Sequence, residues 1–310
     1  MKILLTGTDG YIGCVLAPRL MNEGHQVVGL DTGYYRDGWL YSDPDDCPAL
    51  PKTLCRDLRS IQPRDLEGFD AVVHLAELSN DPLGENNPAV THDINHKGSL
   101  NIAAAAKKAG VPRLVYTSSC SVYGLATEDI VSEESRVNPQ TAYAECKVLV
   151  ERDLSQMADE SFCPVFLRNA TAYGPSPRMR FDIVLNNLVG FAHTTKKIAM
   201  TSDGSPWRPL VHIEDICHAI SCALVAPADA VHNQVFNVGC DEENYRIVEV
   251  AKFVQDAYPD CEITFGSSGG DNRSYRVSFA KISDRLPGFR CRRRADECAI
   301  ELRDSFNLIA

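Results

Sequence analysis

Short apolar runs alternate with amphipathic stretches through the first half of the chain. Residues 2–6 and 26–31 read as strands, with a helical pattern from Tyr11 to about Glu23 between them. Further strand-like runs lie at Lys52–Cys55, Asp70–Leu75 and Leu114–Ser118. A helix over roughly Val90–Ala109 joins the last two, and Lys108-Ala109-Gly110 stops it before Pro112. Strands that alternate with helices make right-handed crossovers, so the first half predicts an α/β architecture with a doubly wound parallel sheet. The stretch Thr32–Pro51, rich in Tyr, Asp, Gly and Pro, reads as a loop near the strand carboxyl ends, where such sheets bind ligands.

The pattern changes after a helix predicted at Tyr143–Met157. A strand at Val165–Arg168 and the rigid loop Gly174-Pro175-Ser176-Pro177 come first. Helices are expected at Phe181–Ala192, near Glu214–Val225 and near Val248–Ala257, with a strand at Gln234–Val238. This part reads as a smaller α/β carboxyl-terminal lobe. The division expected is 1–168 for a ligand-binding domain and mainly 169–310 for a substrate lobe, with residues of about 208–240 crossing back.

Composition narrows the function classes. With 310 residues and 44% hydrophobic positions, the chain can bury one large core or two modest ones. The formal net charge of −11 is spread along the chain, which argues against nucleic-acid or anionic-membrane partners. Met1–Gly7 reaches glycine too soon for a signal peptide, and no apolar stretch has the length of a membrane span. The 12 cysteines include no Cys-x-x-Cys pair and no zinc-like spacing. Reduced thiols, no metal and a cytoplasmic location are expected.

Three motifs carry chemistry. Gly7-x-x-Gly10-x-x-Gly13, with Tyr11 and Ile12 inside it, sits between a strand and a helix; glycine there lets the backbone approach a pyrophosphate at the helix start. A tight turn with nothing bound is the alternative. Asp31 ends the second strand, where a carboxylate can bond both ribose hydroxyls of NAD and repel the 2′-phosphate of NADP. Arg36 nearby keeps NADP open. Asp57 and Leu58 follow the third strand, where Asp57 can reach an adenine amino group or serve as a solvated loop residue. The second motif is the strand end Thr117–Gly124, with Ser119 within it. The third is Tyr143-x-x-x-Lys147, whose members share a helix face. Lowering a tyrosine pKa by about three units takes about 4 kcal/mol, which an adjacent ammonium and a cationic nicotinamide can supply.

These residues, in this order, resemble the extended short-chain dehydrogenase/reductase superfamily, and within it the nucleotide-sugar epimerases and dehydratases. The resemblance spans the chain through Val73-His74-Leu75-Ala76, Asn95 with Gly98, Ser119, Tyr143, Lys147, Leu167-Arg168, Tyr173-Gly174-Pro175, Arg208, His212 with Asp215, and Asn237-Val238-Gly239. It implies a Rossmann-type fold binding NAD, with Leu75 and Ala76 along the cofactor. Ser119 then corresponds to the catalytic serine or threonine, Tyr143 to the base, and Lys147 to the lysine that binds the nicotinamide ribose. On the substrate side it implies that Arg208 and Arg273 hold a nucleotide diphosphate, although Arg276 lies close enough to exchange with Arg273. Asn187 corresponds to a family asparagine on the same group; its neighbour Asn186 reads as a helix-surface residue.

Departures from the family pattern bear on the reaction. Relatives that eliminate water carry an acidic pair after the catalytic serine or threonine, and the decarboxylases usually carry a glutamate at the second position. Here the two positions are Cys120 and Ser121, which disfavours both reactions. Cys120 can act in acid–base chemistry only with a lowered pKa, and otherwise packs. Asn169-Ala170-Thr171 replaces an aromatic-aromatic-asparagine run, and Glu77 stands where a small residue is common. Asn169, Thr171 and Glu77 are therefore expected to reshape the pocket around the sugar. The leading expectation is an NAD-dependent 4-epimerase of a nucleotide-diphosphate sugar. A 4-ketoreductase or dehydrogenase is the main alternative, with a 4,6-dehydratase or a non-catalytic cofactor sensor behind it. The resemblance also implies a homodimer through Val90–Ala109 and Ala142–Met157.

Overall fold

The computed structural model describes residues 1–40, 50–79, 81–266 and 273–309. Seven strands form the central sheet: β1 (Lys2–Thr6), β2 (Gln26–Asp31), β3 (Lys52–Cys55), β4 (Ala71–His74), β5 (Arg113–Ser119), β6 (Cys163–Asn169) and β7 (Gln234–Val238). They lie in the order 3-2-1-4-5-6-7, and every pairing is parallel. This is the doubly wound Rossmann order, in which the chain reverses direction between β1 and β4 and leaves a crevice at their carboxyl ends.

Side-chain alternation explains the two covered faces. Ile3, Leu5, Val73 and Val115 pack with Leu16, Leu20, Ile216 and Ile220 from the helices Gly13–Asn22 and Ile213–Val225. Leu4, Val72, Leu114 and Tyr116 face the other way, against Ile102, Ala106, Val150 and Leu154 from Ser99–Lys108 and Ala142–Met157. A third cluster lies outside the sheet, where Val184–Thr195, Ile247–Ala257 and Ala295–Ile309 share Leu188, Val250, Val254 and Leu302. Within 208–240, β7 joins the central sheet and Ile213–Val225 covers it. The strand Trp207–His212 instead pairs with Thr171–Tyr173 and Asn244–Arg246.

Several elements differ from the sequence expectation. The helix expected over Val90–Ala109 comprises Pro88–Thr91, a π-helical segment at His92–Gly98, and Ser99–Lys108. The wide turn brings Asn95 inward, where its Oδ1 accepts from Leu78 N at 2.8 Å and its Nδ2 donates to Leu78 O at 2.9 Å. It also seats Gly98 on Leu58, whose Cδ1 lies 2.1 Å from where a β-carbon would stand. The helix expected from Phe181 begins at Val184, and Ala295–Ile309 adds a helix beyond those expected. In the loop Thr32–Pro51, residues 41–49 lie outside the described residues; Arg36–Gly38 forms a short 3-10 turn. Among the described residues, no helix is long and apolar enough to cross a membrane.

Candidate active site at the carboxyl ends of the sheet

The dinucleotide turn is built by steric exclusion. Gly7 takes φ +77° and donates to Leu30 O at 2.8 Å. A β-carbon would lie 2.9 Å from Ala76 N at Gly7, and 2.0 Å from Gly7 O at Gly13. The helix starting at Gly13 has no side-chain cap on Ile12; its first turn is closed by the backbone instead, with Cys14 N donating to Gly10 O at 3.1 Å and Leu16 N to Ile12 O at 2.9 Å. A close backbone cradle at the positive end of a helix fits a pyrophosphate. Gly10 and Tyr11 complete the turn, and Thr8 Oγ1 is buried there without a hydrogen-bond partner.

Thr6 joins this turn to the end of β4. Its Oγ1 accepts from the amides of Leu75 and Ala76, each at 3.1 Å, and meets His74 Nδ1 at 2.7 Å. Burial, with Lys147 nearby, pushes the His74 pKa down to about 3, so the ring is neutral. With two amides already donating to Thr6, its hydroxyl proton goes to Nδ1, and His74 Nε2–H donates to Ser99 Oγ at 2.8 Å.

Asp31 is held at the end of β2 by the amides of Asp9 at 3.0 Å and Gly33 at 2.9 Å. Arg36 lies 3.4 Å from the Asp9 carboxylate. Asp9 is pushed up by burial and by Asp31. Asp57 caps the turn Leu58–Ser60 and binds the Arg59 guanidinium at 2.6 Å, which lowers its pKa. Leu58 is buried in the core, and its carbonyl accepts from Asn101 at 2.9 Å. The structure thus gives Asp57 and Leu58 intramolecular partners.

The candidate trio Ser119, Tyr143 and Lys147 comes from β5 and one helix. Thr141 caps Ala142–Met157 by accepting from Ala144 N at 3.2 Å, worth about 1 kcal/mol. That start places Tyr143 half-buried in the first turn and Lys147 buried one turn later. Lys147 Nζ lies 5.3 Å from the Tyr143 ring centroid and donates to Thr117 O, tying the helix to β5. Ser119 ends that strand half-buried, its Oγ accepting from Ser121 N at 3.1 Å.

Glu77 is the main correction to the sequence reading. Instead of lining an open sugar pocket, its side chain is 2% exposed and its Oε2 lies 2.7 Å from Lys147 Nζ. Tyr116 O–H donates to Oε1 at 2.7 Å. Burial pushes Glu77 up against the pull of Lys147, yet its partners are donors, the pattern of an ionised carboxylate. Burial pulls Lys147 down, but Glu77 and Tyr143 carry it above its ordinary value.

Cys120 is likewise not on the pocket surface. It is buried, its Sγ donates to Arg168 O at 3.2 Å, and burial pushes the thiol up. Ser121 Oγ and Asn169 Oδ1 are buried without hydrogen-bond partners, and Ser119 stands opposite Asn169 in the β5–β6 register. Thr171 lies two residues beyond Asn169, opposite Leu210 in the three-stranded sheet. Behind β5 and β6, Arg168 binds Glu151 at 2.7 and 3.0 Å and Tyr123 O–H at 3.0 Å.

On the substrate side, Arg208 Nη1 donates to the carbonyl of Arg273, so the two expected arginines meet. Residues 270–272 of the Arg273 loop lie outside the described residues. Arg276 instead pairs with Asp129 and lies 5.1 Å over Trp207. Asn187 Nδ2 donates to Phe181 O at 2.6 Å. Asn186, expected at the surface, is fully buried; it accepts from Gly174 N at 3.1 Å and donates to Tyr11 O–H at 3.2 Å. Arg180 is a site neighbour that the sequence motifs do not single out. It holds Ser79 O and Oγ, each at 3.1 Å, and lies within electrostatic reach of Tyr143. Its signal is Arg178-Met179-Arg180 directly after the Pro177 loop. Among the described residues, His212, Cys298 and Glu301 form a cluster of metal-ligand type, but His212 Nδ1 accepts from Glu214 N at 3.1 Å as a helix cap.

Known proteins share this arrangement. Residues 3–239 match the model of the NAD dependent epimerase/dehydratase family. The chain is 30% identical over 262 residues to the UDP-glucose 4-epimerase of Mycolicibacterium smegmatis, covering 78% of each. Among solved structures, MoeE5 in complex with UDP-glucuronic acid and NAD is similar at a TM-score of 0.84 and 25% identity, covering 99% of this chain and 100% of that one. TunA, an NAD-dependent NDP-hexosamine 5,6-dehydratase, superimposes with a TM-score of 0.85 at 24% identity, covering 98% of both chains; at that identity it shows the shared fold. The match across the glycine turn, the sheet and the Ser119–Tyr143–Lys147 region places this chain in the NAD-dependent epimerase/dehydratase family, whose cofactor is NAD.

Proposed function

We propose that the protein is a nucleotide-sugar epimerase acting at carbon 4 of the sugar. The observation that carries this reading is the chemistry of the two residues after Ser119. Cys120 is buried with its thiol pushed up, and Ser121 bears only a hydroxyl, so neither offers the acid or base that elimination of water requires. Ser119, Tyr143 and Lys147 suffice to take a proton from a secondary alcohol and return it.

NAD, when bound, serves as hydride acceptor and donor for the sugar carbon. Tyr143 as phenolate takes the proton of the 4-hydroxyl, Ser119 hydrogen-bonds the same oxygen, and Lys147 favours the phenolate. The 4-keto sugar turns over in the site, and Tyr143 returns the proton when the alcohol re-forms on the other face. Gly7, Gly10, Tyr11, Ile12, Gly13 and Asp31 hold the cofactor, with Leu75 and Ala76 at its edge. Arg208 and Arg273, with Asn187, hold the diphosphate; a planar guanidinium matches phosphate bidentately. The M. smegmatis relative and the MoeE5 complex, both named with UDP-sugars, support a uridine nucleotide.

The test uses UDP-, TDP-, GDP- and CDP-hexoses and uronic acids deuterated at carbon 4, read by NMR. A 4-epimer that keeps its label, with no NADH accumulating, is expected. Stoichiometric consumption of reduced cofactor would make the protein a ketoreductase, and a 6-deoxy-4-keto product would make it a dehydratase. The proposed assembly is a homodimer through Val90–Ala109 and Ala142–Met157; a monomer by light scattering at micromolar concentration would exclude it.

A further inference from the structure

We propose that Glu77 sets the basicity of Tyr143, by binding Lys147 and opposing the field that the ammonium would otherwise lend to the phenolate. The proposal rests on the reading of Tyr143 as the base. The geometry is a row of three groups: the Glu77 carboxylate 2.7 Å from Lys147 Nζ, and the Tyr143 ring centroid 5.3 Å from the same nitrogen. A lysine alone favours phenolate, because an opposite charge nearby stabilises the ionised form. A carboxylate on that lysine acts in the reverse sense. The pair presents little net charge to Tyr143, and the tyrosine then depends more on other positive groups to ionise.

Glu77 has no other evident task. Its side chain is 2% exposed, so it does not meet solvent or a sugar directly. The groups that face it are a cation and a donor: Lys147 from the helix Ala142–Met157 and Tyr116 from β5; Ser99 from the neighbouring helix lies close by, its hydroxyl donating to Asn95 O. The other titratable groups around the pair are accounted for. His74 on β4 is neutral, Cys146 on the catalytic helix is pushed up by burial, and Glu151 is paired with Arg168. Arg180 and Lys147 are cations that bear on Tyr143, and Lys147 is the one Glu77 modulates. The carboxylate also fixes the lysine. It holds the ammonium by charge at 2.7 Å, while one ammonium N–H donates to Thr117 O.

The test reads Tyr143 directly and needs no sugar. Tyrosinate formation in the NAD-loaded protein is followed by ultraviolet difference absorbance against pH, and the same titration of Tyr143→Phe is subtracted. Removing the charge in Glu77→Gln should lower the Tyr143 titration by about one pH unit, the effect of a unit charge across that row at protein dielectric. Glu77→Asp keeps the charge and should titrate near the parent protein. Glu77→Ala is the second variant if the glutamine form does not fold, with the same expected downward shift. A titration unchanged or raised in the neutral variants would overturn the proposal, as would an aspartate form that shifts as far as glutamine. Full turnover in Tyr143→Phe would instead defeat the base assignment, so the two failures are distinguishable.

Discussion

Replacing Arg168 with methionine tests the polar network beneath the strand end that carries Ser119. Arg168 and Glu151 form an ion pair whose side chains are 8% and 9% exposed. The guanidinium binds both carboxylate oxygens, at 3.0 and 2.7 Å, and its third contact holds Tyr123 O–H at 3.0 Å. Tyr123, in the turn after β5, donates to Asn237 Oδ1 on β7 at 2.7 Å, so one side chain links β6, that turn, β7 and the helix Ala142–Met157. Methionine keeps much of the volume but leaves the Glu151 carboxylate buried without its cation. Removing one partner of a buried pair costs about 3–5 kcal/mol, a large fraction of the roughly 5–15 kcal/mol that holds a native protein. At about 2–4 °C per kcal/mol, the melting temperature should fall by on the order of 10 °C. Calorimetry of the NAD-loaded protein measures this. The double variant Arg168→Met with Glu151→Leu should recover most of the loss, because an apolar replacement of both partners removes the orphaned charge. A single variant that melts within about 2 °C of the parent, less than 1 kcal/mol, would refute the reasoning. A double variant no better than the single would do the same.

Asp31→Ala should weaken NAD binding by roughly 10- to 100-fold, the loss of hydrogen bonds to a charged group, and narrow the preference over NADP; calorimetric titration with both cofactors checks it. Tighter NADP than NAD binding by the parent protein would contradict the role of Asp31. Tyr143→Phe should slow turnover by roughly 100-fold or more while NAD binding holds, measured by steady-state kinetics alongside titration. Cys120→Ala should leave turnover unchanged and cost about 1 kcal/mol in denaturant unfolding, since its thiol packs beneath the site; a large loss of rate with intact stability would give Cys120 a chemical role.

Much of the central sheet is legible in the chain because its signals are local. The runs at residues 26–31, 52–55 and 234–238 are short, apolar and bounded by turn residues, and the strands fall on those positions. The glycine turn is legible for the same reason: strand, glycines and helix are consecutive. The carboxyl-terminal helix, not among the expected elements, carries the same kind of local signal, with Ala295, Cys298, Ala299, Leu302 and Phe306 buried at helical spacing. Features built from distant residues are different. Asn186 adjoins Asn187, and nothing in that pair says which one turns inward; the partners that bury it are Tyr11 and Gly174. The π-helical segment arises from Asn95 answering Leu78 and Gly98 answering Leu58, a demand set by packing rather than by periodicity. Glu77 and Lys147 lie on separate elements, and only the fold reveals that they are partners.

Tyr11 makes the two halves of the binding crevice mechanically one. Its hydroxyl donates to Gly174 O at 2.7 Å, its carbonyl accepts from Ser176 Oγ at 2.8 Å, and Asn186 locks both sides. The turn proposed to cradle the cofactor is thus bolted to the loop that leads into the outer layer. Cofactor release by loosening that turn would then have to open this contact as well. Residence time at the inner site and order in the outer layer should therefore rise and fall together. An epimerase of the proposed kind, which keeps one cofactor through many turnovers, would have in this contact a latch that closes from both sides.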